Sequence, residues 1–476
     1  MTEPVLNQEV QTHNKAGILS KSMRLLYVYA LATGAIFTFM CYWDGVFLSY
    51  CGPGTFFAFF LMTLAILPIA FVYAELSTMM PNVGAELVFN TVGINKHAGF
   101  FSAWLIMMAW IAVPPAGTMG IVSWINFAFN LNMSYGQIVI VSLLTLTFWL
   151  VLSLYKNVAA GKVQTFMLFA GLTGILLTSI LYLVSGDWSW DNFTPFFQTG
   201  LEGGSFKGWV IGLALIITPY FGFETVPQMV EEGTFPIKDQ AKAILGSVLT
   251  CAAIYMIFYF AVAGMAPWEK LTEGGSGAPF VTIKAFMNAY PGWGTYAILL
   301  GIVGVLFPIG TSVLGFWYSS VRLIYAMGRQ NFLPEAFAKC NRFDQPILPN
   351  ILIYVISILF IILQNSYAYI MNYFNLMAFA CACAYAVSTV SAIKLSLTKP
   401  EWERPYKLPG GQAMRILSLV IAVVIAIGCT LGQQPSAWNG LLMYLGIGVA
   451  LWLWMLFVKW PKQSVWMYTP EGEKEF

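Results

Sequence analysis

Residues 216–227 read Ile216-Ile217-Thr218-Pro219-Tyr220-Phe221-Gly222-Phe223-Glu224-Thr225-Val226-Pro227. The stretch lies in an apolar run, yet two prolines bracket a glycine in its middle. Each interior proline removes a backbone N–H and crowds the preceding turn. A helix carrying both is expected to unwind. Freed backbone groups are tolerated at membrane depth only where they line a cavity or meet a ligand, so this stretch is the best pointer to a binding site. A proline kink without function is the bland alternative, since Gly and Pro are common in membrane helices.

The chain around it is built for a bilayer. Of 476 residues, 59% are hydrophobic and 9% charged, against roughly 25% charged in ordinary soluble proteins. A helix crosses the hydrocarbon core in about 20 apolar residues, and runs of that kind fall at 24–50, 54–80, 98–130, 135–155, 162–185, 207–230, 241–266, 292–327, 347–364, 368–394, 413–432 and 438–460. This predicts an all-α polytopic membrane protein with twelve transmembrane helices. The first 23 residues are polar and no small-residue cleavage site follows, so the first span is expected to direct insertion. With the N-terminus inside, 20 of the 23 basic residues face the cytoplasm, the exceptions being Lys207, Lys270 and Lys284. Both termini are therefore expected to be cytoplasmic and the protein to lie in the cell membrane. Between the spans, residues 279–288 are expected to form an interfacial helix outside.

A second irregularity sits in the first span, where Asp44 interrupts the run. A carboxylate near the bilayer centre costs roughly 3 kcal/mol even on the mild insertion scale. It is expected to face a cavity or a partner, or else to be hydrated at the outer mouth. Spans one and six thus share an interruption and are five spans apart, the mark of two inverted five-helix repeats. The expected organisation is a tail over 1–23, a first repeat over 24–186, an outer loop over 187–206, a second repeat over 207–396, and two peripheral helices with a C-terminal tail over 397–476.

Other function classes fit poorly. A net charge of +2 gives no electrostatic footprint for a nucleic acid. The seven cysteines are scattered, mostly in apolar runs, and read as packing residues. The two histidines, His13 and His97, lie outside the spans, so neither a membrane enzyme nor a metal site is expected. A channel would want rings of pore-lining charge.

Four further segments carry a family resemblance. They are Tyr73-Ala74-Glu75-Leu76 with Pro81 and Gly84; Gly222-Phe223-Glu224 with Glu231-Glu232 and Pro236; Val321-Arg322-Leu323-Ile324-Tyr325-Ala326-Met327-Gly328-Arg329 with Leu333-Pro334; and Arg404-Pro405-Tyr406-Lys407-Leu408-Pro409-Gly410. In this order and at these depths they resemble the motifs of the amino acid, polyamine and organocation (APC) transporter superfamily. The resemblance implies a secondary transporter working by alternating access, with an amino acid or amine substrate held between the breaks of helices 1 and 6. Arg322, Arg329 and Arg404 also fit simple anchoring of helix ends at the cytoplasmic face.

Where the superfamily usually has a glycine-rich stretch at the helix 1 break, this chain has Thr38-Phe39-Met40. Bulky side chains there and the charge of Asp44 tilt the expected substrate toward an amine, an amino alcohol or a cationic amino acid. The alternatives are an exchanger of a neutral amino acid and a non-transporting receptor on the same scaffold. The expected substrate-binding residues are Thr38, Met40, Cys41, Asp44, Thr218, Tyr220, Phe221, Gly222 and Phe223, with Glu224 and Asp44 in ion coupling. Some proton-driven relatives place a lysine in helix 5 where this chain has Gly171. Coupling to H+ would then run through Asp44, Glu224 or Glu75. The hydroxyls of Thr311 and Ser312 offer themselves to Na+, although packing explains them equally well. No cofactor is expected, and these motifs do not specify an oligomeric state.

Overall fold

A computed structural model describes residues 19–37, 44–197, 204–272, 280–363, 367–431 and 435–476. Among them, ten helical segments are long and apolar enough to cross a membrane. The chain is a multi-pass helical membrane protein.

The first apolar run forms α1 (Leu25–Ile36) and α2 (Asp44–Cys51), with residues 38–43 between them outside the described set. Then come α3 (Thr55–Met79), the short α4 (Glu86–Gly93) and α5 (Lys96–Ala128). Asn95 caps α5 by accepting from Ala98 N at 2.9 Å. The next helices are α6 (Tyr135–Ser153), α7 (Asn157–Leu183) and α8 (Gly204–Leu215), and α6 opens on a reciprocal Ser134–Gln137 capping box. After α8 the run continues to Glu232 as tight turns. Beyond it lie α9 (Gln240–Met265), α10 (Trp268–Leu271), α11 (Val281–Ala289) and α12 (Gly294–Gly301). The helix expected over 279–288 forms as α11. A π-turn over Ile302–Leu306 joins α12 to α13 (Phe307–Arg329), and α14 (Ile347–Leu363), α15 (Tyr367–Thr398), α16 (Gly411–Leu431) and α17 (Pro435–Trp454) complete the helices. The last residues form an antiparallel hairpin of β1 (Trp466–Thr469) and β2 (Gly472–Glu475).

Burial separates the core of the bundle from its rim. In the most apolar stretches of Lys96–Ala128 and Phe206–Glu232, 89% of residues are buried, against 28% in Gly411–Leu431 and 17% in Trp438–Lys459. Large side chains such as Leu144, Phe148, Val424 and Met443 point outward. In water they would form an untenable apolar patch; acyl chains are their natural solvent.

One end of the bundle is fastened by buried and half-buried ion pairs. Arg322 donates to Glu232 through Nε at 2.8 Å and Nη2 at 3.1 Å, and its Nη2 also reaches Asn157 and Gln345. Arg329 pairs with Glu231 at 2.5 Å. Arg415 and Arg404 pair with Glu75 at 2.5 and 3.7 Å. Arg322, Arg329 and Arg404, which also fit helix-end anchoring, are paired with the acidic motifs. Arg322 is fully buried. The hairpin closes this basic end: Asn82 Nδ2 donates to Tyr468 O at 3.4 Å, Asn331 Nδ2 to Ser464 O at 2.8 Å and Lys96 Nζ to Phe476 O at 3.0 Å.

Candidate functional site: an interrupted helix against a helix end

The last turn of a helix leaves its carbonyls without backbone donors. At the end of α1 these carbonyls are met by side chains of two other helices. From α9, Cys251 Sγ approaches Thr33 O at 3.4 Å and Tyr255 OH approaches Ile36 O at 2.5 Å. From α13, Thr311 Oγ1 reaches Gly34 O at 3.2 Å and Ser312 Oγ donates to Ala35 O at 3.0 Å. Before that last turn, Gln164 Nε2 of α7 donates to Ala30 O at 3.1 Å and to Thr311 O at 2.9 Å, tying α1 to α13.

The helix-six run is interrupted where its prolines and glycine lie. Tyr220 N donates to Ile217 O, Phe221 N to Thr218 O and Thr225 N to Gly222 O, at 2.9, 3.3 and 3.0 Å. These are three-residue closures, not α-helical ones. Gly222 has φ +134°, and a Cβ there would sit 2.7 Å from Ile36 N and 2.8 Å from Ala35 Cβ. Only glycine allows both this backbone angle and this approach. The helix-six interruption therefore touches the end of α1, and the Tyr255 hydroxyl bridges the two, lying 3.1 Å from Pro219 O as well as beside Ile36 O.

The aromatic residues of the interruption diverge. Tyr220 turns toward α3, its hydroxyl 2.6 Å from Thr63 Oγ1 and 3.2 Å from Phe59 O. Phe223 turns the other way, its ring 5.4 Å from Tyr73 and 5.5 Å from Tyr385. Phe221 is buried with its ring 6.5 Å from Tyr385, and Thr218 is buried too. Phe59 stacks on Tyr259 at 4.8 Å, and the Tyr259 hydroxyl donates to Asp44 Oδ1 at 3.0 Å. Thr282 of α11 donates to Asp44 Oδ2 at 2.7 Å. Asp44 is fully buried, so of the two expectations for it, hydration at the outer mouth fails. It ties the start of α2 to α9 and α11.

On the other side of the interruption, Glu224 is also fully buried. Its Oε2 accepts from Gly222 N at 2.9 Å and its Oε1 from Trp110 Nε1 at 3.0 Å. Glu75 is committed to Arg415 and Arg404, which leaves it a fastening role. At Gly171 an added Cβ would lie 3.0 Å from Pro308 and 3.3 Å from the Phe37 ring, so any side chain there would have to displace these neighbours. Lys162 is exposed. Among the described residues no group of three His, Cys, Asp or Glu is placed to hold a metal ion. The hydroxyl and carbonyl oxygens around Thr311 and Ser312 are of the kind a hard cation takes, though both hydroxyls already meet carbonyls, Thr311 that of Pro308 at 2.6 Å and of Gly34 at 3.2 Å, Ser312 that of Ala35. Thr38, Met40 and Cys41 lie outside the described residues.

Comparison with known proteins settles the family. The family model described as amino acid permease matches residues 23–452. The chain belongs to that family. It is thereby a member of the APC superfamily, a transporter and not an enzyme, and its relatives make a small-molecule amino acid substrate the supported class. It is similar to the methylthioribose transporter of Bacillus subtilis (strain 168), 24% identical over 78% of this permease and 80% of that protein. It is similar also to the branched-chain amino acid permease BcaP of Lactococcus lactis subsp. cremoris (strain MG1363), 22% identical over 93% and 96%. A third relative is the aspartate-proton symporter of Bacillus subtilis (strain 168), 23% identical over 95% and 86%.

Several residues at the interruptions escaped the sequence reading. Tyr255 and Tyr259 are four apart, hence on one face of α9, and that spacing could have marked them. Trp110 reads as an ordinary apolar residue. Glu86 falls after the Pro81–Gly84 turn and outside the apolar runs, so a search for acids within spans passes over it.

Proposed function

We propose that this permease is a secondary active transporter of amino acids or related amines by alternating access, selecting a cationic group between the two interruptions. The observation that carries this is the close approach of Gly222 to Ile36, which brings the interruption of helix six against the carbonyl end of α1. α1 and α8 both turn their C-terminal, carbonyl-rich ends toward the interruptions, and such ends favour positive charge. The N-terminus of α2 would suit a substrate carboxylate, but the chain's own Asp44 occupies its first turn. An ammonium group is therefore better served than a carboxylate. The Tyr220, Phe221 and Phe223 rings border the region, and a ring face can cover a cation. The basic end is cytoplasmic on this reading, with both termini there, twelve crossings of the cell membrane, and two five-helix repeats of opposite topology.

A second reading has a specific observation behind it. The two hydroxyls on Asp44 come from α9 and α11, so its carboxylate also suits a latch for the outer side, leaving the site to a neutral amino acid carried by exchange. Uptake of labelled lysine, a diamine, an amino alcohol and leucine into proteoliposomes separates the two. Cation selection predicts that lysine or an amine is accumulated and that Asp44→Asn weakens its uptake about tenfold, the equivalent of roughly 1.4 kcal/mol. Leucine uptake that is unaffected by Asp44→Asn, with no uptake of the cations, would replace the first reading by the second.

A further inference from the structure

Glu86 opens α4, the short helix between the second and third spans, and is fully buried. Its Oε2 accepts from Gln228 Nε2 at 3.3 Å, while Oε1 is buried without a hydrogen bond. Gln228 belongs to the run that also carries Glu224, and its own Oε1 accepts from Gly84 N at 3.0 Å. The Glu86 and Glu224 carboxyls are close enough to interact electrostatically, with Tyr73 from α3 beside both. From α15, Tyr385 and Cys381 face the pair; from α5, Trp110 does. The described groups acting on these two carboxyls include no lysine, arginine or histidine. Arg329, against the same 81–85 turn, is committed to Glu231, which accepts from Val83 N at 3.0 Å.

Each carboxyl alone has donors enough to carry a charge: Gly222 N–H and Trp110 N–H for Glu224, the start of α4 and Gln228 for Glu86. Both charged at once would repel in a medium that screens poorly. On the reading of the chain as a secondary transporter, we propose that Glu86 and Glu224 form a two-carboxyl site that holds one proton between them and passes it during transport. The transfer is balanced: the O–H bond on Glu224 breaks as one forms on Glu86, with no change in the charge of the pair. Glu224 is the member that senses the interruption, because it holds the Gly222 amide that rests on α1. Glu86 is the member nearer the basic end, where α4 meets the hairpin residues and where the proton would leave. Burial, with the Glu224 charge adding to it, pushes the Glu86 carboxyl up to about 8, which places its proton exchange in the working range of a cell.

Two measurements on the full chain test this separately from the transport reading. Infrared spectra of the detergent-purified protein need no substrate. A protonated-carboxyl band should bleach as pH rises through about 8, and Glu86→Gln should remove that transition while Glu86→Asp keeps it at a shifted midpoint. A titration unchanged by Glu86→Gln would overturn the proposal. In proteoliposomes with an entrapped pH dye, the substrate movement that remains in Glu86→Gln should carry no protons, and Glu86→Asp should restore part of the proton flux. Unaltered proton flux in Glu86→Gln would also overturn it, as would wild-type transport that moves no protons. A wild-type protein that titrates as described yet carries none of the tested solutes would count against the transport reading and leave the proton pair standing.

Discussion

Two groups of buried or half-buried acids in this molecule are handled in opposite ways. Glu75, Glu231 and Glu232 each meet an arginine; Glu86 and Glu224 are surrounded by amides, an indole, phenols and a thiol. A buried ion pair fixes two helices to each other, and its charges cannot be changed without breaking the link. A buried carboxyl held only by neutral donors can gain or lose a proton with its surroundings intact. The first group fastens the bundle and the second is free to respond to it.

The largest effect should come from the fastening group. Arg322→Ala leaves Glu232 buried and without its cation, and it also strips donors from Asn157 and Gln345 and removes the guanidinium stacked 4.3 Å over the Tyr318 ring. A loss of about 3–5 kcal/mol is expected, read as a strong drop in the thermal unfolding midpoint of the purified protein. Arg322→Lys should recover little of it, since an ammonium cannot reproduce the two-pronged contact with Glu232. A midpoint unchanged by Arg322→Ala would erase the distinction between the two groups.

Glu224→Gln should behave differently. Its side chain keeps one oxygen for either Trp110 or Gly222, loses the other hydrogen bond and strands no opposite charge. The expected cost is about 1–2 kcal/mol, while the pH dependence of transport should flatten. Were Glu224→Gln as destabilising as Arg322→Ala with the pH profile intact, Glu224 would belong with the fasteners.

How far the sequence foretold this arrangement depends on whether a feature is local. The interruption at 216–227 was legible because proline and glycine act on their own backbone. Helices of membrane length were legible because the bilayer fixes that length, and ten of them stand among the described residues. Partnerships across the bundle were not. Glu231 and Glu232 stand near 230, Arg322 and Arg329 a helix pair later, and nothing in either motif names the other. Asp44 was conspicuous by its charge in an apolar run, yet its donors Tyr259 and Thr282 lie more than 200 positions away. Glu86 was hidden for a different reason: hydropathy reads its neighbourhood as a polar link, although packing of α4 against α5 and α15 buries it. Asn90 shows that packing, donating to Ser102 at 2.7 Å and Ser388 at 3.1 Å and accepting from Ser391 at 2.6 Å.

The smallest effect should come from the exposed acid that most resembles a fastener. Glu471, in the turn of the terminal hairpin, accepts from Lys399 at 2.7 Å, from Trp402 Nε1 at 2.5 Å and from Lys474. These donors hold its carboxyl down at about 2, with the Lys399 hydrogen bond the largest cause. A depressed carboxyl contributes its stabilisation in full above its unfolded value and loses it as pH falls through the folded one, so at neutral pH the contribution is present. Water and salt screen it nonetheless, because charges this exposed interact weakly at physiological ionic strength. Glu471→Gln should therefore leave the global unfolding midpoint where it is, while hydrogen exchange at the hairpin amides of Met467 and Tyr468 accelerates. The acceleration should vanish when the wild type is compared with the variant in about 1 M salt, where the screening length is about 3 Å. A fall in the global midpoint approaching that of Arg322→Ala would mean that the number of charged partners, and not their burial, decides which acids hold this molecule together.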